Sequence, residues 1–113
     1  MKITLILLIF FSTAINADNY FDSVHIDTNT CNLVNSSVDG EVIYEGIQKM
    51  NRCIITVPTS EFNKKYRFCS LSGVMAKDGQ PNCHFRHSNK DGAKVSFFNT
   101  NTSFCGFTCV KNK

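Results

Sequence analysis

The one run of residues in this chain with the makings of reaction chemistry is Cys83-His84-Phe85-Arg86-His87. On a strand, alternation sends His84 and Arg86 to one face and Phe85 and His87 to the other. An imidazole beside a guanidinium suits phosphodiester cleavage, because the first moves a proton near neutral pH and the second fixes a phosphate through a charge-assisted fork. A carboxylate base or a second histidine would complete the set, with Glu45 and Glu61 as the glutamates to hand. The plainer reading, favoured here, is an exposed polar strand that follows a disulfide cysteine. The sequence holds no Gly-rich phosphate loop, no G-x-S-x-G elbow, no H-E-x-x-H pair and no lone cysteine, which sets aside most enzyme classes.

Six cysteines, Cys31, Cys53, Cys69, Cys83, Cys105 and Cys109, are the second chemical feature. An even count in a short chain bound for an oxidising compartment means three disulfides. No C-x-x-C pair is present to form half of a zinc knuckle, so no metal and no cofactor are expected. If residues 103 to 110 form a strand, Cys105 and Cys109 lie ~13 Å apart, beyond bridging distance. Each then pairs with a distant cysteine and ties the C-terminal strand to two other parts of the chain.

The compartment is read from the N-terminus. Met1 to Ala17 has one lysine, an apolar run from Ile3 to Phe11 and a small-x-small ending at Ala17, the pattern of a signal peptide cleaved after Ala17. The apolar run is well short of the ~20 residues that span a bilayer. The expected product is one disulfide-stapled domain, residues 18–113, secreted, monomeric and free of the membrane. At 113 residues the chain is too short for a two-lobed enzyme or a repeat array. Asn35-Ser36-Ser37 and Asn101-Thr102-Ser103 are sequons in polar stretches, so Asn35 and Asn101 are the glycosylation candidates.

Charge is divided along the chain. Asp18 to Gly46 holds six acids and no lysine or arginine, whereas Ile47 to Lys113 holds eleven bases against Glu61, Asp78 and Asp91. Either the basic part binds an anionic partner or the acidic part folds back over it. Lys64, Lys65, Arg67, Arg86 and Lys94 are the anion-binding candidates if they gather on one sheet face.

The elements that would position these groups follow from periodicity. Ile43, Ile47 and Met50 fall at helical spacing, Asp39 can cap, and Glu45 to Lys49 is an i, i+4 pair in the favourable order. This spacing predicts a helix from Glu41 to Arg52, although Val42-Ile43-Tyr44 also suits a strand. After Cys53 come β-like runs at Ile54–Val57, Tyr66–Ser72, His84–His87, Ala93–Phe98 and Ser103–Val110, with hairpin signals at Asp91-Gly92 and in the Asn-rich stretch after Phe98. The expected fold is α+β, one N-terminal helix packed on a small antiparallel sheet. With Leu33 and Leu71 the only leucines after residue 17, the core falls to Phe62, Phe68, Phe85, Phe97, Phe98, Phe104 and Phe107.

The stretch from Ala93 to Phe107, AKVSFFNTNTSFCGF, resembles the strand-turn-strand signature of the small guanyl-preferring fungal ribonucleases. A helix ending at a cysteine, here Glu41 to Arg52 before Cys53, is similar to the secreted ribonuclease-like effectors of powdery mildew fungi. The resemblance covers that helix and the last twenty residues. The catalytic positions do not carry over: no acid lies between Glu61 and Asp78, Thr108-Cys109-Val110 stands where the family has its histidine, and Lys94 where it has its arginine. The resemblance therefore implies the non-catalytic effector branch.

The functional expectation is a secreted, non-enzymatic interaction protein, effector-like, that binds a host protein or RNA. The alternatives are a ribonuclease built on His84 and Arg86, and an extracellular toxin or cytokine-like ligand.

Overall fold

A computed structural model describes residues 20–77, 79–89 and 92–112. The leader expected over residues 1–17 lies outside them. Nine strands are described: β1 (Phe21–Asp27), β2 (Asn32–Asn35), β3 (Glu41–Glu45), β4 (Ile47–Lys49), β5 (Arg52–Pro58), β6 (Tyr66–Ala76), β7 (Asn82–Ser88), β8 (Lys94–Thr100) and β9 (Thr102–Lys111). They form two antiparallel sheets. Sheet A has the order β3-β2-β1-β9-β6 and sheet B the order β4-β5-β8-β7.

The sheets pack face to face because their strands alternate. Val24, Ile26, Cys105 and Phe107 line the inner face of sheet A, and Ile55, Val57, Val95 and Phe97 that of sheet B. Phe97 and Phe107 meet edge to face across the interior at 5.1 Å. Phe62 and Tyr66, fully buried, close one end of the same core. Of the phenylalanines assigned to the core, Phe62, Phe97 and Phe107 are buried, and Phe85 packs against the core from its margin. Phe68 and Phe104 are instead exposed, and Phe98 lies on the outer face of sheet B.

The α+β expectation is overturned. Glu41 to Arg52 is strand β3, strand β4 and a two-residue hairpin turn, and the described helices are a single turn at Thr59–Phe62 and a 3-10 turn at Ser36–Val38. The β-branched pair Val42-Ile43 and Tyr44 take the strand geometry they prefer. Gly46 then lets the chain step from sheet A to sheet B. A Cβ there would sit 2.5 Å from Ile55 Cγ1 and 2.8 Å from both Cys31 Sγ and the Ile54 carbonyl, so only a glycine brings the backbone so close. The ribonuclease resemblance drew on that helix, and its segment is strand. The Asn-rich stretch is no hairpin either, since β8 and β9 lie in different sheets. Asn101 alone leaves strand geometry, with φ of 54°, and turns the chain from one sheet into the other.

All six cysteines are bridged. Cys31–Cys53 and Cys83–Cys105 join the two sheets, while Cys69–Cys109 links facing residues of β6 and β9. Three bridges fit an oxidising compartment. A buried polar knot adds to them at the edge of sheet A. Asp22, only 3% exposed, accepts hydrogen bonds from Asn35 Nδ2 at 3.0 Å and Tyr66 Oη at 2.7 Å and pairs with Lys111 Nζ at 3.2 Å. Burial and the Asp22 hydrogen bond together push the Tyr66 phenol far above its ordinary range. No helix among the described residues is long and apolar enough to cross a membrane.

Candidate anion-binding face

Strand register builds the outer face of sheet B as a set of cross-strand rows. Lys49, Arg52, Thr100 and Asn82 form the first, Ile47, Ile54, Phe98 and His84 the second. Thr56, Ser96 and Arg86 form the third, and Pro58, Lys94 and Ser88 the fourth. An apolar row thus crosses all four strands, ~14 Å from first to last at the usual spacing, with cations on both sides. His84 lies flat on Phe98, ring centroids 4.4 Å apart at 16°, and its Nδ1 is 2.9 Å from Asn82 Oδ1. Thr56 and Ser96 hydroxyls are 3.2 Å apart. Two shallow depressions, about 460 and 270 Å³, meet this face at Lys49 and Ile54.

No strand of sheet B carries a carboxylate. Lys49, Arg52, Arg86 and Lys94 therefore raise the potential of one flat surface without an opposing charge on their own strands. Arg86 and Lys94 are diagonal neighbours on adjacent strands, since Arg86 faces Ser96 and Lys94 faces Ser88.

Of the five anion-binding candidates, the structure brings only Arg86 and Lys94 together. Lys64 is paired with Glu61 at 2.9 Å and Lys65 with Glu41 at 3.8 Å. Lys65 also lies 5.8 Å above the Tyr66 ring. Arg67 is exposed on β6, in the other sheet. Lys49 and Arg52 complete the face and were missed, because a helix from Glu41 to Arg52 hides the alternation that displays them. His87 belongs to the inner side of β7, where its ring edge meets Phe62 and Phe85.

The glutamates considered as partners for His84 stand elsewhere. Glu45 rims the depression beside Ile47, with β5 and β8 between it and His84. Glu61 lies near Tyr44, whose phenol is pushed up first by burial and then by that charge. The two sequons differ sharply. Asn35 is 1% exposed and its Nδ2, the atom that would carry a glycan, donates to Asp22. Asn101 is partly exposed at the corner between sheets, its Nδ2 3.4 Å from the Gln80 carbonyl. Among the described residues no cluster of histidine, cysteine and carboxylates could hold a metal ion. Neither a protein-family profile, nor a curated protein, nor a solved structure matches this chain.

Proposed function

We propose that the chain is a secreted, non-enzymatic interaction protein, effector-like in kind, that docks an anionic partner, RNA or the acidic surface of a host protein, flat against the outer face of sheet B. The observation that carries this reading is the acid-free sheet itself: Lys49, Arg52, Arg86 and Lys94 flank an aromatic and aliphatic row with no carboxylate on any of its strands. Cations supply attraction, and the exposed edge of the His84–Phe98 stack offers a surface for planar groups.

Single-stranded RNA tests it as a polyanion of known charge spacing. Binding is expected to be weak and indifferent to sequence, with a dissociation constant above about 100 µM near physiological salt and a log-log salt slope of about −0.7 per neutralised phosphate. Arg86→Glu with Lys94→Glu should flatten that slope by about 1.4. Binding that ignores both salt and the double variant would remove the reading.

Cleavage is the second reading, and one observation favours it: His84 and Arg86 share the face. His84 is held by Phe98 and Asn82 rather than by a carboxylate, which supports binding over proton transfer. A gel assay on RNA with His84→Ala as control separates the two. Turnover that disappears in the variant would restore the enzyme.

A further inference from the structure

At one end of the sandwich, four connections converge: the β1–β2 turn, the β4–β5 hairpin, the segment after β6 and the Asn101 corner. Between them lies a cleft of about 310 Å³, at the small end of the ~300–1,000 Å³ typical of ligand sites. Its lining is unlike the sheet face. Asn29, Gln48, Asn51, Asn99 and Asn101 line it, with Arg52 and Lys77 as the charged groups, and neither a carboxylate nor an aromatic ring is found among the described residues that form it.

We propose that this cleft is a second binding site, sharing Arg52 alone with the cations of the sheet B face, and that it takes an acidic sugar unit such as a uronic acid. A carboxamide presents a donor and an acceptor in one rigid plane, which matches the paired donor and acceptor character of neighbouring sugar hydroxyls. Two cations beside those amides match a single carboxylate. With no aromatic wall, recognition rests on hydrogen bonds rather than stacking, which separates this ligand class from a nucleobase.

The cleft is also held open before any ligand arrives. Asn99 and Thr102 are buried at its floor, the threonine hydroxyl donating to Asn99 Oδ1. Cys53 in its wall is fixed by the bridge to Cys31. The Lys77 backbone N–H donates to the Asn101 carbonyl at 3.0 Å, which ties the segment after β6 to the corner. Such preorganisation lowers the ordering cost of binding.

The test uses the full chain expressed in a bacterial periplasm, where disulfides form and no glycan is added at Asn101. Trigalacturonate and a neutral trisaccharide of the same linkage are titrated while backbone amide resonances are followed. Saturable shifts at Asn29, Gln48, Asn51 and Lys77 are expected with the acidic sugar and not with the neutral one. Lys77→Glu and Asn51→Ala, both at exposed positions, should each weaken binding by about fivefold or more, whereas Arg86→Glu with Lys94→Glu should leave it within about twofold. Absence of saturable shifts, equal binding of the neutral sugar, or equal losses in Lys77→Glu and the Arg86/Lys94 variant would overturn the proposal. Because the sheet B reading is tested on RNA with the latter variant, either can fail alone.

Discussion

The two sheets share one core and differ in almost everything that faces outward or carries charge. Sheet A holds Asp22, Asp27, Glu41 and Glu45 on its strands against Arg67 and Lys111, and ties some of these together across the fold. Sheet B holds four cations and no acid. The outer surface of sheet A is apolar at one end, where Phe21, Val110 and Phe68 align, and shaped by backbone at the other, where Phe104 lies over Gly106 and stacks on His25. The division of charge along the chain is thus a division between layers. The acidic N-terminal part does fold against basic residues, but against Lys65 and Lys111, which leaves the sheet B cations outside that neutralisation.

If the layers are distinct bodies stapled together, reduction should have the largest effect. Two bridges cross between sheets, and each bridge contributes about 2–4 kcal/mol, so a reducing agent should unfold the protein at modest temperature. A melting midpoint unmoved by reductant would show that packing alone holds the sheets together. Next in size is the knot at the edge of sheet A. Asp22→Ala leaves Asn35, Tyr66 and Lys111 without their shared acceptor and should cost about 3–5 kcal/mol in chemical denaturation, with Tyr66→Phe costing about 1–2 kcal/mol.

The same knot sets the alkaline limit. Folding raises the Tyr66 phenol above its free value of 10.0, so the fold binds that proton more tightly than the unfolded chain. This stability is complete below pH 10 and drains as pH rises beyond it. Tyr66→Phe should therefore flatten the alkaline loss in a pH series of melts, and an unchanged profile would contradict the assignment.

A smaller loss, about 1–3 kcal/mol from overpacking, is expected for Gly46→Ala, where the chain passes between layers, and thermal melts would show it. Least of all, Arg86→Glu with Lys94→Glu should leave stability within about 0.5 kcal/mol, since both are exposed on sheet B. A larger drop would mean that this surface serves the fold rather than a partner.

Strands β5 to β9 were legible from the sequence because each is a short β-prone run bounded by turn residues, and in β5, β7 and β8 alternation also showed, which placed His84 with Arg86. The N-terminal part was not. In β1 the inward position at Asp22 is an acid, while Phe21 faces out, which inverts the usual sign of alternation. Asn35, buried on β2, hides in the same way. Both make sense only when Tyr66 and Lys111, far along the chain, are known to meet them. The Ile43, Ile47 and Met50 spacing fits a helix, and what overrides it is the pairing of β3 with β2 and of β4 with β5 in two different sheets, a tertiary fact. Arg52 joining Arg86 and Lys94 likewise depends on strand order, which no local pattern encodes.

Strand β9 is the last of the described strands, yet it lies inside sheet A between β1 and β6. During synthesis, then, the acidic strands emerge first and have no central partner until β9 has been made. Cys31 and Cys53 can find each other early, but Cys69 and Cys83 both wait for cysteines on β9. For that interval Cys69 and Cys83 are both without their native partners, and the nearest wrong partner of each is the other. Productive folding under oxidising conditions is therefore paced by the arrival of β9 and by reshuffling of whatever bridge forms before it.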